Sequence, residues 1–228
     1  MLIVEARQAP TDKGGRTASG LDDRSLAVVQ EIAIEAVDEV REWLPTLVDD
    51  LVLAVFADDR VIPETGEAGA SVSPGRIEWH ADPATPGGVI SAARRELRFT
   101  LFHELHHQVR GWVMRGGTPP SAFIDAPIAE GLASAFERDA AGRRAPWAEY
   151  PVEVGAWVDE LLALPLTANY AQWMFKHPDG RRWIGYRAGT YVADRARMVS
   201  GLSAAQLVAT PTAAVLDLAG YRLPEQAS

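Results

Sequence analysis

The chain has no cysteine among its 228 residues. Disulfides and thiolate ligands are thereby excluded, and any transition metal must be held by histidine, aspartate or glutamate. The same lack fits a reducing compartment, so the expected location is the cytoplasm. Basic charge is also short: 22 Lys and Arg face 31 Asp and Glu, a net charge of −9. A nucleic-acid partner needs the opposite balance and is not expected. No apolar run reaches the roughly 18 residues of a membrane helix, and no membrane partner is expected. The opening Met1-Leu2-Ile3-Val4-Glu5 meets charge too soon for a signal peptide. There is no internal repeat and no low-complexity tract. What remains is an ordinary globular composition, 47% hydrophobic and 23% charged, long enough to bury a sizeable core.

Apolar spacing divides the chain. Residues 2–6 suit a short strand, and residues 8–22, rich in Gly, Thr, Ser and Asp, read as a loop, so that 1–22 is partly flexible. From Asp23, Leu26, Val29, Ile32, Ala33, Ala36, Val37 and Val40 recur at helical spacing, predicting an amphipathic helix to about Trp43, stopped near Pro45. Leu51–Phe56 is a buried strand, followed by a turn-rich piece with Pro63, Gly66 and Gly69. Gly75–Ala81 alternates and reads as a half-exposed strand. A long helix is expected from about Val89 or Ser91 to Met114, then a second from Asp125, as N-cap with Pro127 in its first turn, to about Ala141. Past Pro151 the pattern is helical, over about 152–164, 167–176, 184–199 and 211–219. The expected fold class is α+β: a small N-terminal sheet of three to four strands packed on a predominantly helical domain. It is read as one domain over 1–228, with helix and sheet at 23–88, metal-binding helices at 89–141 and a helical C-terminal part at 151–228.

Three of the five histidines fall within His103-Glu104-Leu105-His106-His107. This is an H-E-x-x-H pattern inside the long helix. Two imidazoles four residues apart share a helix face and can bind one zinc ion, and the glutamate between them can activate a zinc-bound water. On the same helix Leu97, Leu101, Leu105, Val109 and Trp112 fall in one arc and should face the core. His103 and His107 lie opposite, beside Glu96 and Thr100, toward a cleft or solvent. His106 points away from the pair and reads as packing or support. A catalytic zinc normally has a third protein ligand. Glu130, on the polar side of the next helix and beside Gly131, is the first candidate, with Glu137, Asp125 and His80 as competitors.

The pair His103-Glu104-Leu105-His106-His107 and Glu130-Gly131-Leu132-Ala133 resembles the gluzincin metallopeptidases. More closely it resembles a predicted zinc-dependent protease family catalogued as a domain of unknown function, which Trp183-Ile184-Gly185-Tyr186-Arg187 also matches. The resemblance implies a zincin-like fold and Zn2+ held by His103, His107 and Glu130. It makes Glu104 the catalytic glutamate and a peptide or protein the substrate.

In that chemistry Glu104 takes a proton from the attacking water and passes it to the leaving amine. Tyr186 is the first candidate to donate to the developing oxyanion, with His177 and Arg187 behind it. Strand 76–81 has two readings of equal weight: by the zincin resemblance an edge that pairs with extended substrate, or a plain sheet strand. Glu137, Asp125 and Glu96 are candidates to hold the outer nitrogens of the imidazoles. Two other readings of the motif are a non-peptide amidase and a metal-dependent binding or regulatory module with a vestigial site.

Overall fold

Leu51–Ala57 is a nearly unbroken apolar run, and it forms an inner strand of a four-stranded sheet. The computed structural model describes residues 1–7 and 21–223. The expected loop over 8–22 lies outside the described residues up to residue 20. The sheet comprises β1 (Leu2–Arg7), β2 (Leu51–Ala57), β3 (Glu67–Ser73) and β4 (Arg76–Ala81), in the order β1-β2-β4-β3. β1, β2 and β4 run parallel, and β3 pairs antiparallel with β4. A parallel pair needs a long crossover, and α1 (Asp23–Trp43) lies in the one between β1 and β2. Its buried stripe is Val29, Ala33, Ala36, Val37 and Val40, the periodicity visible in the sequence. Asp22 caps it, its side chain accepting from the Ser25 N–H at 2.7 Å.

The sheet corrects the sequence reading at one strand and decides it at another. β3 was hidden in the turn-rich piece, because Glu-Ala-Gly-Ala-Ser-Val-Ser has little of the branched or aromatic content that marks a strand. It is a strand because β4 pairs with it. Of the two readings of strand 76–81, the structure takes the plain sheet strand and not the edge: β4 is paired on both sides, by β2 and β3. The outer strand on that side is β3. Even there, Ile62 bridges to Glu67, and the Met114 and Arg115 N–H groups donate to the Ser71 and Val72 carbonyls at 3.0 Å each.

The long helix is built in three parts: α2 (Gly88–Ala92), a π-helical turn (Ala93–Leu97) and α3 (Arg98–Arg110). It ends four residues before the expected Met114. Gly111 takes the left-handed conformation, φ 74°, and residues 112–115 turn back onto β3. Trp112 thus lies outside the helix.

The residues fall into two compact units, Met1–Gly117 and Thr118–Ser228. The second is helical, with α4 (Asp125–Phe136), which runs into a π turn (Glu137–Ala141), α5 (Val154–Leu162), α6 (Tyr170–Met174), α7 (Ile184–Ser200) and α8 (Thr212–Ala219). α6 is shorter than the expected 167–176, since Asn169 caps it and the chain beyond Lys176 bends into a small hairpin. Asp125 is not an N-cap. Its Oδ2 reaches back to the N–H groups of Ser121 (2.6 Å) and Ala122 (3.0 Å) and so ties down the entry to the helix. α4 and α7 meet backbone to backbone. A Cβ on Gly131 would lie 2.0 Å from the Gly189 carbonyl carbon, so only glycine permits this approach. The molecule is α+β, with a four-stranded N-terminal sheet. Among the described residues no helix is long and apolar enough to cross a membrane.

Candidate metal centre

α3 presents His103 and His107 one turn apart, and their Nε2 atoms face each other at 3.1 Å. The rings meet edge to face, with centroids 4.7 Å apart and planes at 79°. Glu104 completes the group: one ligand atom from each of His103, Glu104 and His107 lies within 4.8 Å of the others. Two nitrogens held about 2.0–2.1 Å from a tetrahedral ion stand about 3.3–3.4 Å apart. The observed pair is within a few tenths of an ångström of that, and nitrogen and carboxylate oxygen are zinc's usual donors in a chain without thiols. The donor set fits zinc.

Of the two directions expected for the pair, cleft or solvent, burial removes open solvent. His103 and Glu104 are each 7% exposed and His107 is 3% exposed. The whole stretch Leu101–His107 is buried, His106 included. A histidine–glutamate group in such surroundings costs several kcal/mol unless it is paired or metal-bound. A merely solvated helix face is excluded.

The other candidates have varied surroundings. His80 is buried and stacked on Phe56 at 4.6 Å, with its Nδ1 3.0 Å from Asp58 Oδ1. Burial, only partly offset by Asp58, lowers its pKa below that of free imidazole. Burial pushes the Asp125 carboxyl up, but hydrogen bonds from Thr212, Ala122 and Ser121 outweigh it and leave the pKa lowered. Two of the three competitors for the third ligand, His80 and Asp125, are thus engaged in other structural work. Glu130 sits in the second unit on α4, where every residue from Ala126 to Phe136 is buried. Glu137 is buried in the π turn that follows. Tyr186 is half-buried near the start of α7, its ring 5.7 Å from Trp183 and 6.4 Å from Phe175. Trp183 holds a left-handed backbone, φ 59°, which is a strained conformation for so bulky a residue. His177 lies 2.9 Å from Asp179 and against Trp173.

What the sequence reading missed is the strand behind Glu104. Ser71 Oγ donates to the Glu104 carbonyl at 2.9 Å, and Gly69 packs against its side chain. Glu67, 2% exposed, accepts at Oε2 from Trp79 Nε1 (2.7 Å) and Thr100 Oγ1 (2.8 Å). Burial, with Glu96 nearby, pushes its pKa up to about 7 against the pull of those donors. The signal available was the spacing of Thr100, Glu104 and Gln108 down one side of the helix.

By fold and site the chain is an α+β protein with an H-E-x-x-H donor group on a buried helix. It belongs to the DUF2268 family, described as predicted Zn-dependent protease, whose family model matches residues 29–217. The match runs from within α1 to within α8 and takes in His103, Glu104, His107, Glu130 and Tyr186. No curated protein and no solved structure matches the chain.

Proposed function

We propose that the protein is a zinc-dependent metallopeptidase of gluzincin type, hydrolysing peptide bonds in a peptide or protein substrate. The observation that carries this reading is the buried His103–Glu104–His107 group, which has the donors of a catalytic zinc site and a carboxylate in reach of both imidazoles. The family's own description points the same way. His103 and His107 would hold the metal through the Nε2 atoms that face each other, and Glu130 would be the third ligand. Support for Glu130 comes from its place in the Glu130-Gly131-Leu132-Ala133 stretch that the chain shares in pattern with gluzincins, inside the residues the family model matches. Bound zinc supplies a Lewis acid that polarises the scissile carbonyl and lowers the pKa of water.

Glu104 then does the proton work. As a carboxylate it takes a proton from the water that attacks the carbonyl carbon, and it delivers that proton to the amine nitrogen as the C–N bond breaks. Its burial keeps the charge unscreened and the proton inside the site. Tyr186 donates its phenol O–H to the oxygen that gains negative charge. Nucleic acid and membrane lie outside this reading, and the cytoplasm is the compartment that suits a cysteine-free, acidic chain.

The test is digestion of an unbiased peptide library by zinc-loaded protein, beside E104Q. The wild type should cleave, and E104Q should lose at least about 10³-fold in kcat while keeping its zinc. Activity that survived in E104Q would refute the assigned role. Zinc bound with no peptide cleaved would move the reading to a metal-dependent binding module.

A further inference from the structure

Thr100, Glu104 and Gln108 recur at every fourth position of α3, and each meets β3 or the hairpin that follows it. Thr100 donates to Glu67, and the Glu104 carbonyl accepts from Ser71. The Gln108 amide accepts from the Gly75 N–H at 2.8 Å and donates to the carbonyls of Ser73 (3.1 Å) and Arg76 (3.2 Å). The helix is thus fixed in register along the strand, with Glu104 in the middle. Glu67, Gly69 and Ser71 alternate along one face of β3, and at Gly69 that face has no side chain. A Cβ there would stand 2.3 Å from Thr100 Cγ2, 3.1 Å from Glu104 Cγ and 3.5 Å from Glu104 Oε1.

We propose that β3 is the positioning strand for Glu104, and that Gly69 is the residue that sets where its carboxylate stands relative to His103 and His107. The inference rests on the peptidase reading for the task Glu104 performs. Ser71 holds the Glu104 backbone, and the bare backbone at Gly69 leaves the space in which its Cγ and carboxylate lie. Neither contact touches the imidazoles. A change at 69 therefore moves the proton-transfer group and leaves the two histidine ligands in place. Catalytic groups are sensitive to displacements well below 1 Å.

The obvious variant, G69A, also drives a methyl into Thr100, so it is paired with T100S. Serine removes Cγ2 and keeps the hydroxyl that bonds Glu67. T100S alone should behave as wild type. In G69A/T100S the tightest clash is gone, but the contact with Glu104 Cγ remains. The expected result is a Tm within a few degrees of T100S, KM unchanged, kcat down by about tenfold or more, and an unaltered zinc content and cobalt(II) spectrum. A crystal structure of the double variant should show Glu104 Cγ displaced by a few tenths of an ångström, with His103 and His107 in place. Recovery of kcat together with Tm overturns the proposal. So does an unmoved Glu104, or a double variant as unstable as G69A, which would make Gly69 a packing residue only. A wild type that cleaves no peptide would overturn the peptidase reading instead, and the crystal structure alone would then decide the positioning.

Discussion

A buried carboxylate has to be paired, bonded or protonated, and the three that matter most here answer that demand differently. Glu104 lies with two imidazoles. Glu130 is proposed as a metal ligand, and that proposal has a direct consequence: E130A should weaken zinc retention by about 10²-fold or more, measured by competition with a chelator. Retention equal to wild type would place the third ligand elsewhere. Glu67 answers by protonation, its pKa raised by burial to about 7. Because the folded pKa lies above the unfolded one, the native state binds this proton more tightly. The stability it contributes is fully present below about pH 4.5 and is lost as pH rises through about 7, roughly 3 kcal/mol in all. E67Q keeps the acceptor for Trp79 and Thr100 but cannot ionise. Urea denaturation of metal-free protein at pH 5 and pH 8 should show the wild type losing stability with pH and E67Q losing less; equal slopes would mean that Glu67 is already charged at pH 5.

Elements in this chain are decided partly by apolar spacing and partly by where backbones touch. α1, β2, α7 and α8 carry their own periodicity and start and stop within a residue or two of expectation. β3 does not, since small and polar residues become a strand only against β4. The α4–α7 contact is of the second kind. G131A should destabilise by roughly 3 kcal/mol, or about 5–10 °C in Tm, because its methyl meets backbone that cannot yield. Gly155 in α5 is the counter-case: a Cβ there would make only an ordinary 3.5 Å contact with Tyr221 Oη. G155A should therefore stabilise by about 0.5–1 kcal/mol, through lower entropy of the unfolded chain. Thermal melts of the two variants should move in opposite directions, and a shift of the same sign would show that backbone proximity does not govern these sites.

For the whole molecule the expectation is one metal per chain and a chain that is stable enough to be studied without it. Metal analysis of purified protein should find about one zinc. Chelation should abolish hydrolysis and lower Tm by several degrees, since a ligand bound only to the folded state at about 100 times its Kd adds roughly 2.7 kcal/mol. A Tm indifferent to zinc and chelator would argue that no such site exists. The H-E-x-x-H motif, the missing cysteines, the acidic balance and most helices are local or compositional properties, and they were legible in the sequence by itself. Local spacing puts His103 and His107 on one side of a helix whatever the rest of the chain does. Whether that side meets water or protein depends on contacts between residues far apart in sequence, and periodicity along one helix carries no information about them. Only the tertiary structure decided that the pair is buried, that β4 lies inside the sheet, and that Gly69 and Ser71, more than thirty residues before Glu104, stand against it.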